Sequence, residues 1–80
     1  MLFKPVSSEK AVRMIEADNT LLFTVERNSS KEDIKREFEK TFGSKVERIN
    51  VLHRKNTKYA YIKLKKDFKA IDVATKLGMI

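Results

Sequence analysis

The sequence predicts an α+β domain: a mostly antiparallel sheet of three to four strands covered by three helices, in a single small domain over residues 1–80. Three observations predict it. A two-residue period, with apolar side chains at every second position, appears in "TLLFTVE" and "KYAYIKLK" and marks strands. "NSSKEDIKREFEKTFG" instead repeats its apolar residues at helical spacing between a start and a stop signal. The elements follow one another as helix, strand, helix, strand, strand, helix, and a chain of this size buries one core.

Leu2 to Lys4 is expected to add a short edge strand. "SSEKAVRMIEAD" is a short helix with Ser7 or Ser8 as N-cap and Ala11, Val12 and Ile15 on one side. "TLLFTVE" turns Leu21, Phe23 and Val25 to one face. In the next helix Ser29 and Ser30 precede Glu32 and Asp33 at capping-box spacing. Ile34, Phe38 and Phe42 form its core stripe, and Gly43 ends it. Glu32 with Arg36, and Lys35 with Glu39, are expected to pair at i,i+4. "KVERINVLH" and "KYAYIKLK" form a hairpin across "RKNT", a connection of about four residues. "AIDVATKLG" closes the chain as a helix with Ala70, Val73, Ala74 and Leu77 inward and Gly78 at its end.

Charge narrows the function. Eighteen Lys and Arg against eleven Asp and Glu give a formal net charge of +7, the footprint of a polyanion binder or of a protein drawn to an anionic membrane. From His53 to Lys69 stand seven basic residues, opposed only by Asp67. Such a concentration on one hairpin suits a phosphate backbone, where cations replace condensed counterions. It also suits an edge strand kept from aggregating by its lysines. The absence of cysteine excludes disulfides, thiolate zinc and thiol catalysis. His53, the one histidine, has no Ser, Cys or metal-ligand partner at recognisable spacing and reads as a surface residue beside a turn. No pair of carboxylates is isolated for acid–base work, and both glycines end helices, which leaves no phosphate loop. Neither an enzyme, a cofactor, a metal nor a small-molecule substrate is expected. "MLFKPVSSEK" lacks the apolar core of a signal peptide, and a cytoplasmic protein is expected.

In "KYAYIKLKK" the two stripes separate Ala60, Ile62 and Leu64 from Tyr59, Tyr61, Lys63 and Lys65. Two rings on one strand invite comparison with the RNA-recognition motif, whose central strand stacks bases on aromatic side chains. "KYAYIKL" approaches that pattern but lacks its glycine and ends in Leu64 where an aromatic is wanted. A free single-stranded RNA reader using Tyr59 and Tyr61 is the alternative function; rings lying flat on neighbouring side chains are the structural one. A membrane-surface protein ranks third, because no helix joins a wide apolar face to a basic one.

Five blocks in order carry a family resemblance over essentially the whole chain: "KPVSSEKA", "NTLLFTV", "KEDIKREFEKTFGSKVERINVL", "KYAYIKL" and "ATKLG". Together they resemble the large-subunit ribosomal protein L23 family, whose members sit at the exit of the polypeptide tunnel. The resemblance implies a non-catalytic protein of the cytoplasmic ribosome that binds ribosomal RNA beside neighbouring ribosomal proteins. It also implies a docking surface for the signal recognition particle and, nearby, the protein-conducting channel. The chain resembles the archaeal, short form: "RKNT" stands where bacterial members carry a long basic loop into the tunnel, and the eukaryotic N-terminal extension is missing. Lys69 occupies a place where a capping serine is usual.

On that resemblance, RNA contacts are expected from Lys4, Lys10, Arg54, Lys55, Asn56, Lys58 and Lys63, and also from Arg27 and Lys31. Lysines and arginines would position the protein on phosphates of a folded RNA. Ala60, Tyr61, Ile62 and Leu64 match a packed strand at the sheet edge, with Tyr59 facing solvent or RNA. Glu9 is expected on the outer surface as a contact for docking factors; its local alternative is a first-turn carboxylate paired with Arg13.

Overall fold

A computed structural model describes residues 3–79. The elements are β1 (Lys4–Pro5), α1 (Glu9–Asp18), β2 (Thr20–Val25), α2 (Lys31–Phe42), β3 (Val46–Arg54), β4 (Thr57–Leu64) and α3 (Ala70–Lys76). The α+β expectation holds: the strands form one antiparallel sheet in the order β1-β2-β4-β3, and the helices cover one of its faces. The expected first strand begins at Lys4 and pairs with Thr24; Leu2 lies outside the described residues.

The order corrects one expectation. β4 is an interior strand, flanked by β2 and β3, and β3 takes the edge. Register then sorts the side chains. On the helix side Leu21, Ile62 and Ile49 stand in one cross-strand row, and Phe23, Ala60 and Val51 in the next. Ala60 and Phe23, both fully buried, are cross-strand partners, a small side chain set opposite a large one. There Phe23, Phe38 and Phe42 meet Phe3, with ring centroids between 4.7 and 6.3 Å apart, mostly in tilted or edge-on pairs. Val46 and Ile49 are three residues apart yet both buried, and a bulge between Val46 and Arg48 reconciles them.

Local signals set the element ends. Ser8 caps α1 through the amide of Ala11. In α2 Ser30 and Asp33 exchange both bonds of the capping box, and Gly43 closes it at φ 66°. The wet-side pairs differ from expectation. Arg36 approaches Asp33 at 3.6 Å, and Glu39 accepts from the Val46 amide at 2.8 Å, tying α2 to the start of β3. The hairpin is also tighter than expected. Only Lys55 and Asn56 connect the strands, both at positive φ (49° and 65°) as a type I′ turn requires.

Asn19 is the residue sequence reasoning undervalued. It ends α1 in the left-handed region at φ 52°. Its side-chain amide donates to the carbonyls of Leu64 and Phe68, and its oxygen accepts from the Ala70 amide at 2.7 Å. Lys69, the N-cap of α3, makes no side-chain capping bond. The cap that Lys69 fails to supply comes from 51 residues earlier in the chain.

Candidate nucleic-acid interface

Among the described residues, the opposite face of the sheet carries none of the buried core cluster. Its rows run Lys4, Thr24, Tyr59, Leu52 and then Leu22, Tyr61, Asn50, with Thr20, Lys63 and Arg48 at the far end. Both tyrosines are half-buried on this open face, so Tyr61 does not belong to the packed side that its resemblance implied. The alternation within "KYAYIKL" separates it from Ala60 and Ile62.

The β3–β4 turn gathers most of the expected RNA contacts. On one side of it a hollow of about 520 Å³ is lined by Lys10, Arg54 and Lys55 above Leu22, Tyr59 and Tyr61. On the other side Lys4, Arg27 and Asn56 border a smaller hollow of about 280 Å³, where Glu26 is the one carboxylate among the lining residues. Lys4, Lys10 and Arg27 arrive from three other parts of the chain, and all are exposed. The tight turn continues the hairpin without splaying it, since in a type I′ turn the backbone twist matches that of the strands.

Three expected contacts are placed differently: Lys63 and Lys31 fall elsewhere, and Lys58 reaches the wall of the smaller hollow but is held from within. Lys58 lies on the helix side, in register with Val25 and His53, and is 7% exposed. Its ammonium donates to the carbonyl of Ser29, which anchors the loop before α2. A buried cation with a fixed carbonyl partner is a strut, and reaching a phosphate would leave that carbonyl unpaired. Lys63 lies at the opposite end of the open face, where the bulge residue Glu47 approaches its ammonium at 3.8 Å. Lys31 lies with Lys35 and Arg48 in a groove between α2 and β3. Glu9 is solvent-exposed and accepts from Arg13 at 3.2 Å, the local pairing open to it from sequence.

Leu22 and Leu52 are the lining residues sequence reasoning passed over. Each is an apolar residue out of step with the core stripe of its strand, and that was the available signal. Leu52, 43% exposed, is the one large hydrophobic residue so open among those described. Among the described residues no group of three or more His, Cys, Asp or Glu is placed to hold a metal, and no helix is long and apolar enough to cross a membrane.

One titration stands out near this end of the molecule. The backbone amide and hydroxyl of Ser30 hold the Asp33 carboxyl below its ordinary value of 3.8, with smaller help from Arg36 and Lys58.

Comparison with known proteins agrees with the five sequence blocks. The family model described as "Ribosomal protein L23" matches residues 1–74. The chain is 44% identical over 80 residues to the "Large ribosomal subunit protein uL23" of Methanothermobacter thermautotrophicus, an alignment covering 99% of this chain and 93% of that protein.

Proposed function

The chain belongs to the ribosomal protein L23 family, and from that premise we propose that it binds large-subunit ribosomal RNA beside the exit of the polypeptide tunnel. Membership makes it a structural, non-enzymatic component of the cytoplasmic ribosome. The observation that carries the RNA contact is the convergence of Lys4, Lys10, Arg27, Arg54 and Lys55 on the two hollows flanking one tight turn. Cations so gathered neutralise phosphates of one folded RNA segment and fix the orientation of the domain upon it. Neighbouring ribosomal proteins complete its surroundings. The outward side of the domain, with Glu9 at the start of α1, offers an acidic contact to the signal recognition particle and lies near the protein-conducting channel.

Titration of a large-subunit ribosomal RNA fragment at several salt concentrations tests the RNA contact. With about six phosphates neutralised, affinity falls on the order of a thousandfold between 50 and 200 mM salt. Arg54→Ala combined with Lys55→Ala reduces the slope of log affinity against log salt by about two. A nearly flat dependence in the unaltered protein would overturn the reading. For factor docking, ribosomes carrying Glu9→Ala should incorporate the protein normally and bind the signal recognition particle several-fold more weakly. Unchanged affinity would leave Glu9 only its pairing with Arg13, which at such exposure contributes little to stability.

A further inference from the structure

We propose that the open sheet face beside the β3–β4 turn takes an unpaired nucleotide, its base against Tyr59 and Tyr61 and its phosphates on Lys10, Arg54 and Lys55. This rests on the RNA-binding reading and adds a contact to the base, which cations on phosphates do not supply.

The aromatic residues are divided between the two faces. All five phenylalanines pack against one another or against the helix-side core, whereas neither tyrosine ring meets another aromatic ring among the described residues. The tyrosines stand two residues apart on an interior strand, about 7 Å along it. Leu22 and Leu52 extend them into an apolar floor that the domain itself leaves partly open. The volume of about 520 Å³ accommodates a nucleotide and not a folded domain.

Charge selects the occupant. Three cations border this floor, and no carboxylate is among its lining residues. A nucleotide joins a flat apolar ring to an anion within one unit, which matches a tyrosine floor with a cationic rim. A phosphate backbone alone would leave the floor uncovered. An acidic peptide would satisfy the rim while offering no planar group to the rings.

The composition supplies its own probe. The chain has two tyrosines and no tryptophan, so its intrinsic emission comes from this face alone. The unaltered protein is titrated at low salt with an oligouridylate, with an abasic ribose-phosphate chain of equal length, and with oligoglutamate. The oligouridylate should quench tyrosine emission and bind about five- to a hundredfold more tightly than the abasic chain. By anisotropy of labelled RNA, Tyr59→Phe with Tyr61→Phe should keep that preference, since a ring suffices. Tyr59→Leu with Tyr61→Leu should lose the preference while retaining salt-dependent binding. Equal binding of both ribose-phosphate chains without quenching would overturn the base contact and leave phosphate binding standing. Equal quenching by oligoglutamate would assign the face to an acidic peptide and also overturn it. Binding of neither nucleic-acid chain would remove the RNA reading itself.

Discussion

The two faces of β4 come from one eight-residue strand and are held by different physics. On the helix side Ala60, Ile62 and Leu64 are sealed in a core with Phe23 and Phe38, where shape decides what fits. On the open side Tyr59 and Tyr61 are only partly covered, and nearby cations outnumber carboxylates. The lysines of the strand mark the contrast best. Lys58 has turned inward and anchors a loop; Lys63 stays on the wet side beside Glu47. A basic residue on a basic hairpin is therefore not automatically an RNA contact. The face it occupies decides.

The largest expected effect separates the faces by stability. Phe38→Ala should cost about 3–5 kcal/mol, enough in so small a domain to lower the melting temperature on the order of 15–30 °C. Tyr59→Ala, on the open face, should lower it by only a few degrees, as followed by circular dichroism. Comparable losses from both would mean that the open face is as much a core as the other.

Lys58→Met sharpens the comparison within one class of residue. It removes the donor to the Ser29 carbonyl and should destabilise the domain by about 1–3 kcal/mol. Affinity for ribosomal RNA should change less than about twofold once folding is accounted for, whereas Lys55→Ala should lose one phosphate from the salt slope. A Lys58→Met protein of normal stability and reduced affinity would put Lys58 back among the RNA contacts.

The smallest effect is a pH dependence from the Ser30–Asp33 capping box. The folded value of Asp33 lies below its ordinary 3.8, so the contribution is fully present above that value. It is lost as pH falls through the lower, folded value. In acid titrations Asp33→Asn should abolish that part of the decline and leave the rest of the curve unchanged. An identical acid limb in both proteins would show that the box contributes nothing measurable.

Much of the candidate site is legible in the amino-acid sequence. The concentration of cations between His53 and Lys69 pointed to the hairpin, and Arg54, Lys55 and Asn56 do stand at its tip. The resemblance added Lys4 and Lys10, which composition alone could not have joined to that tip. Hidden from both were the inward turn of Lys58 and the apolar floor of Leu22 and Leu52. Both follow from strand register, and register is settled between strands rather than within one.

The amino-acid sequence by itself determined what depends on neighbours a few residues away. These features are the alternation that assigns Ala60 and Tyr61 to opposite faces, the capping box at Ser30 and Asp33, and the helix stop at Gly43. Such features rest on backbone geometry and on bonds spanning three or four residues, so the local residue pattern suffices. Only the tertiary structure decided that β4 lies inside the sheet, that Asn19 caps α3 across 51 residues, and that Lys4, Lys10 and Arg27 meet the hairpin tip. Those outcomes depend on which distant surfaces bury their apolar stripes against one another. Many arrangements satisfy the local pattern of each stripe, and only the packing of the whole chain selects one.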